Sequence, residues 1–264
     1  MSSPIPSRPS ARFLGTGWSH GVPMIGCNCE VCTTRHPRNI RRRPALQLQH
    51  HDLSIIIDTG PDFRDQVLTF GIHRVDAVFF THEHSDHVMG FDDVRRFTWH
   101  RDTPMPVYAA PPTLTRLQSV YSYVSPVRVP GKAVPKVAFL PWSTPVTLGP
   151  FRLQPFEVPH GDLPCRGIRI ETDTHTLGYV PDCADLPPDS LAHLRGVDTM
   201  VLNALRHAPH PAHLTLERSL ELLHQIGAPQ SFLTHMGCDF DYPTLNPALP
   251  HGISMAYDGL EILL

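Results

Sequence analysis

Short apolar or alternating segments recur along the whole chain and are separated by glycine, proline and aspartate. Segments with this pattern are typical of β-strands, because alternate side chains of a strand face opposite sides of a sheet. Strands are predicted in this way at residues 12–14, 45–49, 53–57, 75–80, 107–109, 137–140, 151–158, 168–171, 176–180, 199–202 and 231–233. The chain is therefore expected to be rich in β-sheet.

Helices are predicted at three places, residues 61–70, 112–124 and 216–226. The third is the clearest, because its leucines and Ile226 share one face, Thr215 can cap its first turn and Gly227 follows its end. A further short helix is expected after Asp93. Strands mixed with helices, without an internal repeat or a linker, favour an α/β class in which two sheets pack face to face with helices outside.

The composition is that of a folded chain. Of 264 residues, 41% are apolar and 18% are charged, which is enough to fill a core and too little charge for disorder. No apolar run approaches the roughly 18 residues of a membrane-spanning helix. The first eleven residues lack the pattern of a signal peptide. Residues 1–11 are thus expected to be frayed and residues 12–264 to form one domain, located in the cytoplasm.

The charge pattern bears on the kind of ligand. The formal net charge of −3 argues against binding along nucleic acid, because proteins that do so usually carry a basic excess. Five arginines nevertheless lie between Arg35 and Arg43. They either attract an anionic ligand or form a solvated basic face, and the sequence leaves both interpretations open.

Histidine and aspartate cluster directly after the predicted strand 75–80. The chain there reads Thr81-His82-Glu83-His84-Ser85-Asp86-His87, which has the form H-x-H-x-D-H. In a loop at a strand end, two imidazoles can bind one metal while the carboxylate and the third imidazole bind another. A solvated polar loop is the alternative, and four potential ligands in six positions make it the weaker one.

Three further candidates lie at other strand ends. His160, Asp182 and His235 each follow a predicted strand by one or two residues. Taken singly, each is an ordinary loop residue. Because a metal needs three or four ligands, their shared position predicts that they complete a metal site with the H-x-H-x-D-H motif.

The cysteines suggest a second metal site. Three of the six form the run Cys27-Asn28-Cys29-Glu30-Val31-Cys32, and three stand alone. A chain of this size without an export signal favours metal binding over disulfides. Cys27, Cys29 and Cys32 are spaced to bind one zinc, with Cys238 as the expected fourth ligand in a site that stabilises the fold. Free thiols are the alternative.

The His/Asp motifs, preceded by Asp58 in Ile57-Asp58-Thr59-Gly60, resemble those of the metallo-β-lactamase superfamily across nearly the whole chain. The resemblance implies an αββα four-layer sandwich with a two-metal site along one sheet edge. It implies His82, His84 and His160 as ligands of the first metal, Asp86, His87 and His235 as ligands of the second, and Asp182 as the bridge. Asp58 matches a residue that orients the ligand loop by hydrogen bonds.

A narrower resemblance comes from the N-terminal region. Gly15-Thr16-Gly17, Gly21-Val22-Pro23 and the cysteine run resemble the phosphoribosyl 1,2-cyclic phosphate phosphodiesterases of the carbon-phosphorus lyase pathway. In that family the fourth zinc ligand is a histidine, where this chain has Cys238. The catalytic histidine of the family matches His213. From residue types alone, His213 is one of several histidines between His207 and His213.

The resemblance predicts a hydrolase that opens a small, cyclic phosphodiester to a phosphomonoester. It implies two divalent ions (Mn, Zn or Fe), one structural zinc, a hydroxide shared by the two ions as nucleophile, and His213 as an acid or a charge-stabilising group. Two alternatives stay open: a nuclease resembling transfer RNA 3′-processing enzymes, and a non-hydrolytic accessory protein resembling the PQQ-biosynthesis member of the superfamily. The expected partner is a small anionic substrate, without membrane or nucleic acid, and a homodimer is left open.

Overall fold

The structure is a computed structural model that describes residues 8–34, 36–127, 131 and 133–264. Its strands are β1 (Ser10–Gly15), β2 (Ala45–His50), β3 (Leu53–Ile57), β4 (Ala77–Phe79), β5 (Met105–Ala109), β6 (Val137–Pro141), β7 (Val146–Leu148), β8 (Phe151–His160), β9 (Leu163–Glu171), β10 (Thr176–Val180), β11 (Thr199–Asn203), β12 (Gln230–Thr234), β13 (Ile253–Met255) and β14 (Glu261–Leu263).

The α-helices are α1 (Glu30–Thr33), α2 (Phe63–Thr69), α3 (Ser85–Val88), α4 (Arg95–Thr98), α5 (Pro111–Val120), α6 (Pro188–His193), α7 (Leu216–Ile226) and α8 (Tyr242–Leu245). The predicted caps of α7 are present. The hydroxyl of Thr215 accepts the backbone N–H of Arg218 at 3.2 Å, and Gly227 has a φ of 71°, which suits glycine. No helix within the described ranges is long and apolar enough to cross a membrane.

The described strands form two seven-stranded sheets. The first has the order β14-β1-β2-β3-β4-β5-β6, and the second has the order β13-β12-β11-β10-β9-β8-β7. The strands from β3 to β6 and from β10 to β13 are parallel to their neighbours, whereas the other pairs are antiparallel. Apart from β14, the first half of the chain builds one sheet and the second half builds the other.

The core lies in three layers. Between the sheets, Phe13, Ile57 and Phe79 of the first pack with Ile168 and Tyr179 of the second. A second apolar cluster lies between the second sheet and α6 and α7, and a third lies between the first sheet and α2 and α5. The layer order of helix, sheet, sheet and helix confirms the predicted αββα sandwich.

Two local predictions differ from the structure. The sequence pattern missed the three-residue strands β7, β13 and β14. The frayed segment predicted at residues 1–11 is wrong for Ser10 and Ala11, which are buried in β1 and pair with Gln49 and Leu48. Serine and alanine are not strongly hydrophobic, so the sequence does not indicate a strand at these positions. Their burial results from pairing with β2. Residues 1–7 lie outside the described residues.

Strand direction determines where the loops of the site meet. In the first sheet β3 and β4 are parallel. In the second, β8 and β10 share one direction because both are antiparallel to β9, and β12 follows that direction through β11. The residues that follow these five strands therefore meet at one edge of the sandwich, where the predicted ligands lie.

Candidate functional site

Asp58, the first residue after β3, holds the loop that carries the H-x-H-x-D-H motif. Its carboxylate accepts the backbone N–H and the hydroxyl of Thr81, each at 2.9 Å, and lies 2.8 Å from Nδ1 of His87. Asp58 has a φ of 64°, a conformation in which aspartate is enriched among non-glycine residues. These contacts are those that the predicted orienting role of Asp58 requires.

Gly60, in the same turn, lets the ligand loop come close to the end of β3. A Cβ at Gly60 would lie 2.0 Å from the carbonyl oxygen of Asp86, so any larger residue would push the loop away. The backbone N–H of Thr59 donates to the carbonyl of His87 at 2.7 Å. The Asp58-Thr59-Gly60 turn and the ligand loop are thus packed as one unit.

The ring nitrogens of His82, His84 and His160 converge on one point. Nδ1 of His84 lies 2.9 Å from Nε2 of His82 and 3.0 Å from Nε2 of His160. Nδ1 of His160 faces the carbonyl of Ala212 at 2.8 Å, and Nδ1 of His82 faces the hydroxyl of Thr81 at 3.0 Å. Both Nδ1 atoms have acceptors for a proton, which leaves lone pairs on the two converging Nε2 atoms. Converging lone pairs are the arrangement that binds a cation.

A second trio lies beside the first and is buried. The ligand atoms of Asp86, His87 and His235 lie within 4.8 Å of one another, and Nε2 of both imidazoles is 3.4 Å from the same oxygen of Asp86. His235, the first residue after β12, has a φ of 55°. The backbone thus turns sharply where the ligand leaves the strand.

Asp182, two residues after β10, lies between the two trios. One carboxylate oxygen is 2.9 Å from Nε2 of His87, and the other is 3.2 Å from Nε2 of His235. The same carboxylate groups with His82 on one side and with His160 on the other. This is the position that the predicted bridge would occupy.

His213 lies at the rim of the site, in the loop before α7. Its Nδ1 is 3.0 Å from Asp182, its side chain is 12% exposed, and its ring stacks on that of His235 with the centroids 4.9 Å apart. The structure also groups it with His160 and Asp182 as a set that could bind a metal. Geometry therefore allows His213 two roles, ligand or catalytic group.

Burial determines the protonation of the first trio. It lowers the pKa of His82 well below the usual range, lowers that of His84, and lowers that of His160 to about 4. These imidazoles are therefore neutral near pH 7, with lone pairs available for a metal.

Negative charge dominates the second trio. Burial disfavours a charged His87, but the carboxylates of Asp86, Asp58 and Asp182 outweigh it and raise the pKa of His87 well above the usual range. Buried carboxylates this close together require positive charge to offset them. A divalent cation supplies that charge.

Polar atoms without partners provide the test of whether metals fit. Nε2 of His87 and both carboxylate oxygens of Asp182 are buried without a hydrogen bond from any described residue. The short His87–Asp182 distance lacks hydrogen-bond geometry. Such orphaned atoms are uncommon in proteins, and imidazole nitrogens and carboxylate oxygens are ligands that Zn, Mn and Fe accept. The donor set fits two divalent ions.

The cysteine cluster is a separate set. The sulfurs of Cys27, Cys29, Cys32 and Cys238 lie within 4.8 Å of one another. All six cysteines fall within the described residues, and none is in a disulfide. The backbone N–H of Cys32 donates to Sγ of Cys29 at 3.4 Å, which stabilises a thiolate. The structure thus brings together the four predicted sulfurs, at a spacing that suits a tetrahedral zinc.

The described arginines of the Arg35 to Arg43 cluster are engaged within the protein. Arg42 and Arg43 form ion pairs with Asp258 and Asp62 at 3.4 and 2.9 Å, and Arg38 lies over two tyrosine rings. The first arginine of the cluster, at position 35, lies outside the described residues. The contacts favour neither the anion-attracting nor the solvated interpretation.

Comparison with known proteins identifies the family. The family model described as a β-lactamase superfamily domain matches residues 54–236. A crystal structure of a new diphosphatase from the PhnP family is 35% identical, with a TM-score of 0.89, over 97% of this chain and 98% of that one. The chain belongs to the β-lactamase superfamily and, within it, to the PhnP family. The predicted superfamily is thereby confirmed.

More distant proteins share the fold. Zinc-bound PqqB from Methylobacterium extorquens is 19% identical to this PhnP-family chain, with a TM-score of 0.78 over 97% of this chain and 100% of that one. Short-form human tRNase Z is 15% identical, with a TM-score of 0.67 over 96% of this chain and 98% of that one.

A protein of Porphyromonas gingivalis named octanoyltransferase is 34% identical over 96% of this chain, but the chain spans only 51% of that relative.

Two contributors to the site of this PhnP-family protein were missed by the sequence analysis. Thr81 contacts Asp58 and His82, and the carbonyl of Ala212 faces His160. Thr81 carried a weak signal, since it directly precedes the H-x-H-x-D-H motif. A backbone carbonyl carries none.

Proposed function

We propose that this protein is a dinuclear metal-dependent phosphodiesterase that opens a small cyclic phosphodiester to a phosphomonoester. The observation that carries the proposal is the carboxylate of Asp182, which lies between two trios of ligands and 3.0 Å from His213. Two ions of Mn, Zn or Fe are proposed for the trios, and one structural zinc is proposed for the cysteines.

The chain's own residues fix the reacting groups in place. When bound, two divalent ions activate water and draw electrons from a phosphoryl group. His82, His84 and His160 form one side of the site, and the second trio forms the other. Asp182 lies between the two sides: its oxygens are near His87 and His235, and the same carboxylate groups with His82 and His160. Asp58 and Thr81 hold the ligand loop in the orientation that this arrangement requires.

His213 is proposed to act on the leaving group. In the reaction the oxygen of water forms a new bond to phosphorus, one ester bond of the ring breaks, and the departing alkoxide takes up a proton. His213 lies at the partly exposed rim, where a substrate can reach it. Because Nδ1 faces Asp182, Nε2 is the nitrogen that remains to donate the proton or to stabilise charge.

A small substrate is favoured over a polymer. The net charge is −3, and the described arginines of the N-terminal cluster already contact carboxylates or aromatic rings. A negative net charge is unfavourable for a protein that follows a polyanion. This disfavours the nuclease alternative, which would contact many phosphates.

A diphosphate is the second candidate substrate. It is favoured by the 35% identity to a PhnP-family diphosphatase over nearly the whole of both chains. The same two trios and the same His213 would serve, because hydrolysis of a phosphoanhydride also breaks a P–O bond.

The alternative of a non-hydrolytic accessory protein is disfavoured, because both trios of candidate ligands are complete. The octanoyltransferase match adds no substrate, since the chain spans half of that protein.

The test is hydrolysis of a panel by protein loaded with Mn, Zn or Fe. The panel holds a five-membered alkyl cyclic phosphate, bis(p-nitrophenyl) phosphate, a diphosphate diester and a transfer RNA precursor. Products are identified by phosphorus NMR, and Asp182→Ala is the control that should abolish turnover. Preference for the cyclic phosphate supports the proposal, preference for the diphosphate supports the second candidate, and no turnover with any metal contradicts both.

A further inference from the structure

Arg41 is a buried guanidinium beside the cysteine cluster. Its relative exposure is 1%. It forms no ion pair with a carboxylate of any described residue, unlike its neighbours Arg42 and Arg43. A buried cation without a counter-charge is strongly unfavourable. Other groups must therefore offset the free-energy cost of burying this charge.

The guanidinium joins the segment that leads from His235 to Cys238 and beyond. One terminal nitrogen donates to the carbonyl of Gly237 at 2.9 Å. The other donates to the carbonyl of Phe240 at 2.6 Å and to the side-chain oxygen of Asn39 at 3.1 Å. Gly237 lies between the two ligands in sequence, so Arg41 fixes the backbone that connects the proposed zinc to the proposed two-metal site.

The backbone of Arg41 joins the other side of the cysteine cluster. Its N–H and carbonyl both pair with Val22 at 2.8 Å, in the loop that leads to the cysteine run. A Cβ at Gly17 would lie 2.7 Å from the carbonyl oxygen of Arg41, so this close approach depends on glycine. Arg41 thus contacts both segments that supply the four sulfurs.

Two carboxylates act first against the cost of burying Arg41, and two of the cysteines add to them. Burial lowers the pKa of Arg41 to about 10, and the charges of Asp258, Asp241, Cys238 and Cys32 oppose that decrease. Four thiolates around one Zn²⁺ leave two surplus negative charges, which must also be offset when they are partly buried. A buried guanidinium would offset one of these two charges.

We propose that Arg41 is a positioning residue that offsets the negative charge of the cysteine zinc centre and ties that centre to the strand end bearing His235. This inference rests on the cysteine zinc centre proposed above. A lysine would keep the charge but lose the planar fork that holds two carbonyls. The charge and the clamp can therefore be separated by substitution.

The first experiment measures zinc affinity at the cysteines by chelator competition, with cobalt-thiolate absorption as a second readout. Arg41→Met removes the charge and is expected to weaken zinc binding by about 10–100-fold, as loss of a supporting contact does in other metal sites. Arg41→Lys is expected to keep most of the affinity. Arg43→Met is the matched control, because Arg43 lies two residues away and pairs with Asp62, and its affinity should equal that of the wild type.

The second experiment is a double-mutant cycle with Cys238→His, which removes one negative charge from the centre. If Arg41 offsets charge, Arg41→Met should cost less affinity in the Cys238→His background than in the wild type. An equal cost in both backgrounds overturns the charge role, as does an unchanged affinity in Arg41→Met alone. If Arg41→Met does not fold, Arg41→Gln takes its place in the cycle.

The wild type separates the two levels of inference. If it binds no zinc at the cysteines, the cysteine centre is wrong and the role of Arg41 is overturned with it. Turnover of the phosphodiester panel by the same preparation would still support the proposed hydrolase. If the zinc is present and turnover is absent, the proposed function is wrong while the affinity measurements still decide the role of Arg41.

Discussion

The imidazole of His213 shares the carboxylate of Asp182 with the proposed ligands His87 and His235. One oxygen of Asp182 faces His213 and His235 together. This proximity restricts the orientation of the His213 ring. Substitution of His213 alone can therefore show whether it acts on the substrate or binds a metal.

His213→Ala is expected to retain both metals and to lose rate. For an alkyl cyclic phosphate the loss should be about 10²–10⁴-fold, the usual cost of removing one acid or base. The loss should shrink for bis(p-nitrophenyl) phosphate, because p-nitrophenolate departs without a proton. Turnover is measured with both substrates, and metal content is measured for each protein. His207→Ala is the control, since His207 is exposed and pairs with Glu217.

Loss of a metal in His213→Ala would instead identify His213 as a ligand. An equal loss of rate on both substrates would indicate phosphate binding or charge stabilisation in place of acid catalysis.

Asp258 gives a prediction about pH. Burial raises its pKa to about 6, although the N–H of Arg42 and the hydroxyl of Thr16 donate to it. The unfolded carboxyl titrates near pH 4, so between about pH 4 and 6 the folded state binds more protons. This contribution to stability is complete below that window and is lost as the pH rises through it, by about 3 kcal/mol in total.

In Asp258→Asn that dependence should vanish. Denaturant unfolding of wild type and variant between pH 4 and 7 gives the difference in unfolding free energy, which should change with pH only through Asp258. A difference that stays constant across the window would contradict the raised pKa.

The candidate ligands that the structure brings together could be selected from the sequence because chemistry and position coincide in them. His160 and His235 are recognisable as polar residues at the ends of apolar strands. Arg41 could not be predicted, because a charged residue beside other arginines indicates a surface. Its burial depends on carbonyls about 200 residues further along the chain, and only the folded structure brings them together.

At the level of elements, the three longest helices were predicted, and of the single-turn helices only α4 was, as the short helix after Asp93. The predicted helix at 216–226 matches α7, since caps and apolar spacing agree. The single-turn helices α1 and α3 were missed because four residues cannot display a helical period. Both carry proposed metal ligands, so the local shape of both sites came from the structure.

The cysteine loop provides the prediction at this scale. Cys29→Ser is expected to lose the structural zinc and more than about 3 kcal/mol of unfolding free energy, because metal binding there is also folding energy. The kind of reaction should not change. Thermal unfolding and zinc content are compared with Asn28→Ser, an exposed position in the same loop. A Cys29→Ser protein that keeps its zinc and melting temperature would show that these cysteines are not ligands.

For the whole molecule, the two halves of the chain meet at the site. The H-x-H-x-D-H loop follows a strand of the first sheet. In the second sheet His160 ends a strand, and Asp182 and His235 follow strands. The fold class was predictable from the mixture of strands and helices, but the sheet order was not, because pairing between distant strands leaves no local pattern.

The protein purified without chelator is expected to contain about three metal ions per chain, two at the trios and one at the cysteines, because the two ligand sets are distinct. Elemental analysis is the measurement. Asp182→Ala should reduce the number of ions at the trios and keep the zinc at the cysteines. Cys29→Ser should lose the zinc at the cysteines and keep the two ions at the trios. A wild type with one ion or none would contradict the two-site arrangement.

The return of β14 to the first sheet has a consequence for synthesis on the ribosome. Ser10, Ala11 and Arg12 pair with residues 261–263, so one edge of β1 stays open until those residues, about 250 positions later, have been made. An open strand edge is a template for pairing with other chains. During translation this edge of β1 is therefore exposed until β14 has emerged, and a chaperone would protect the chain most in that interval.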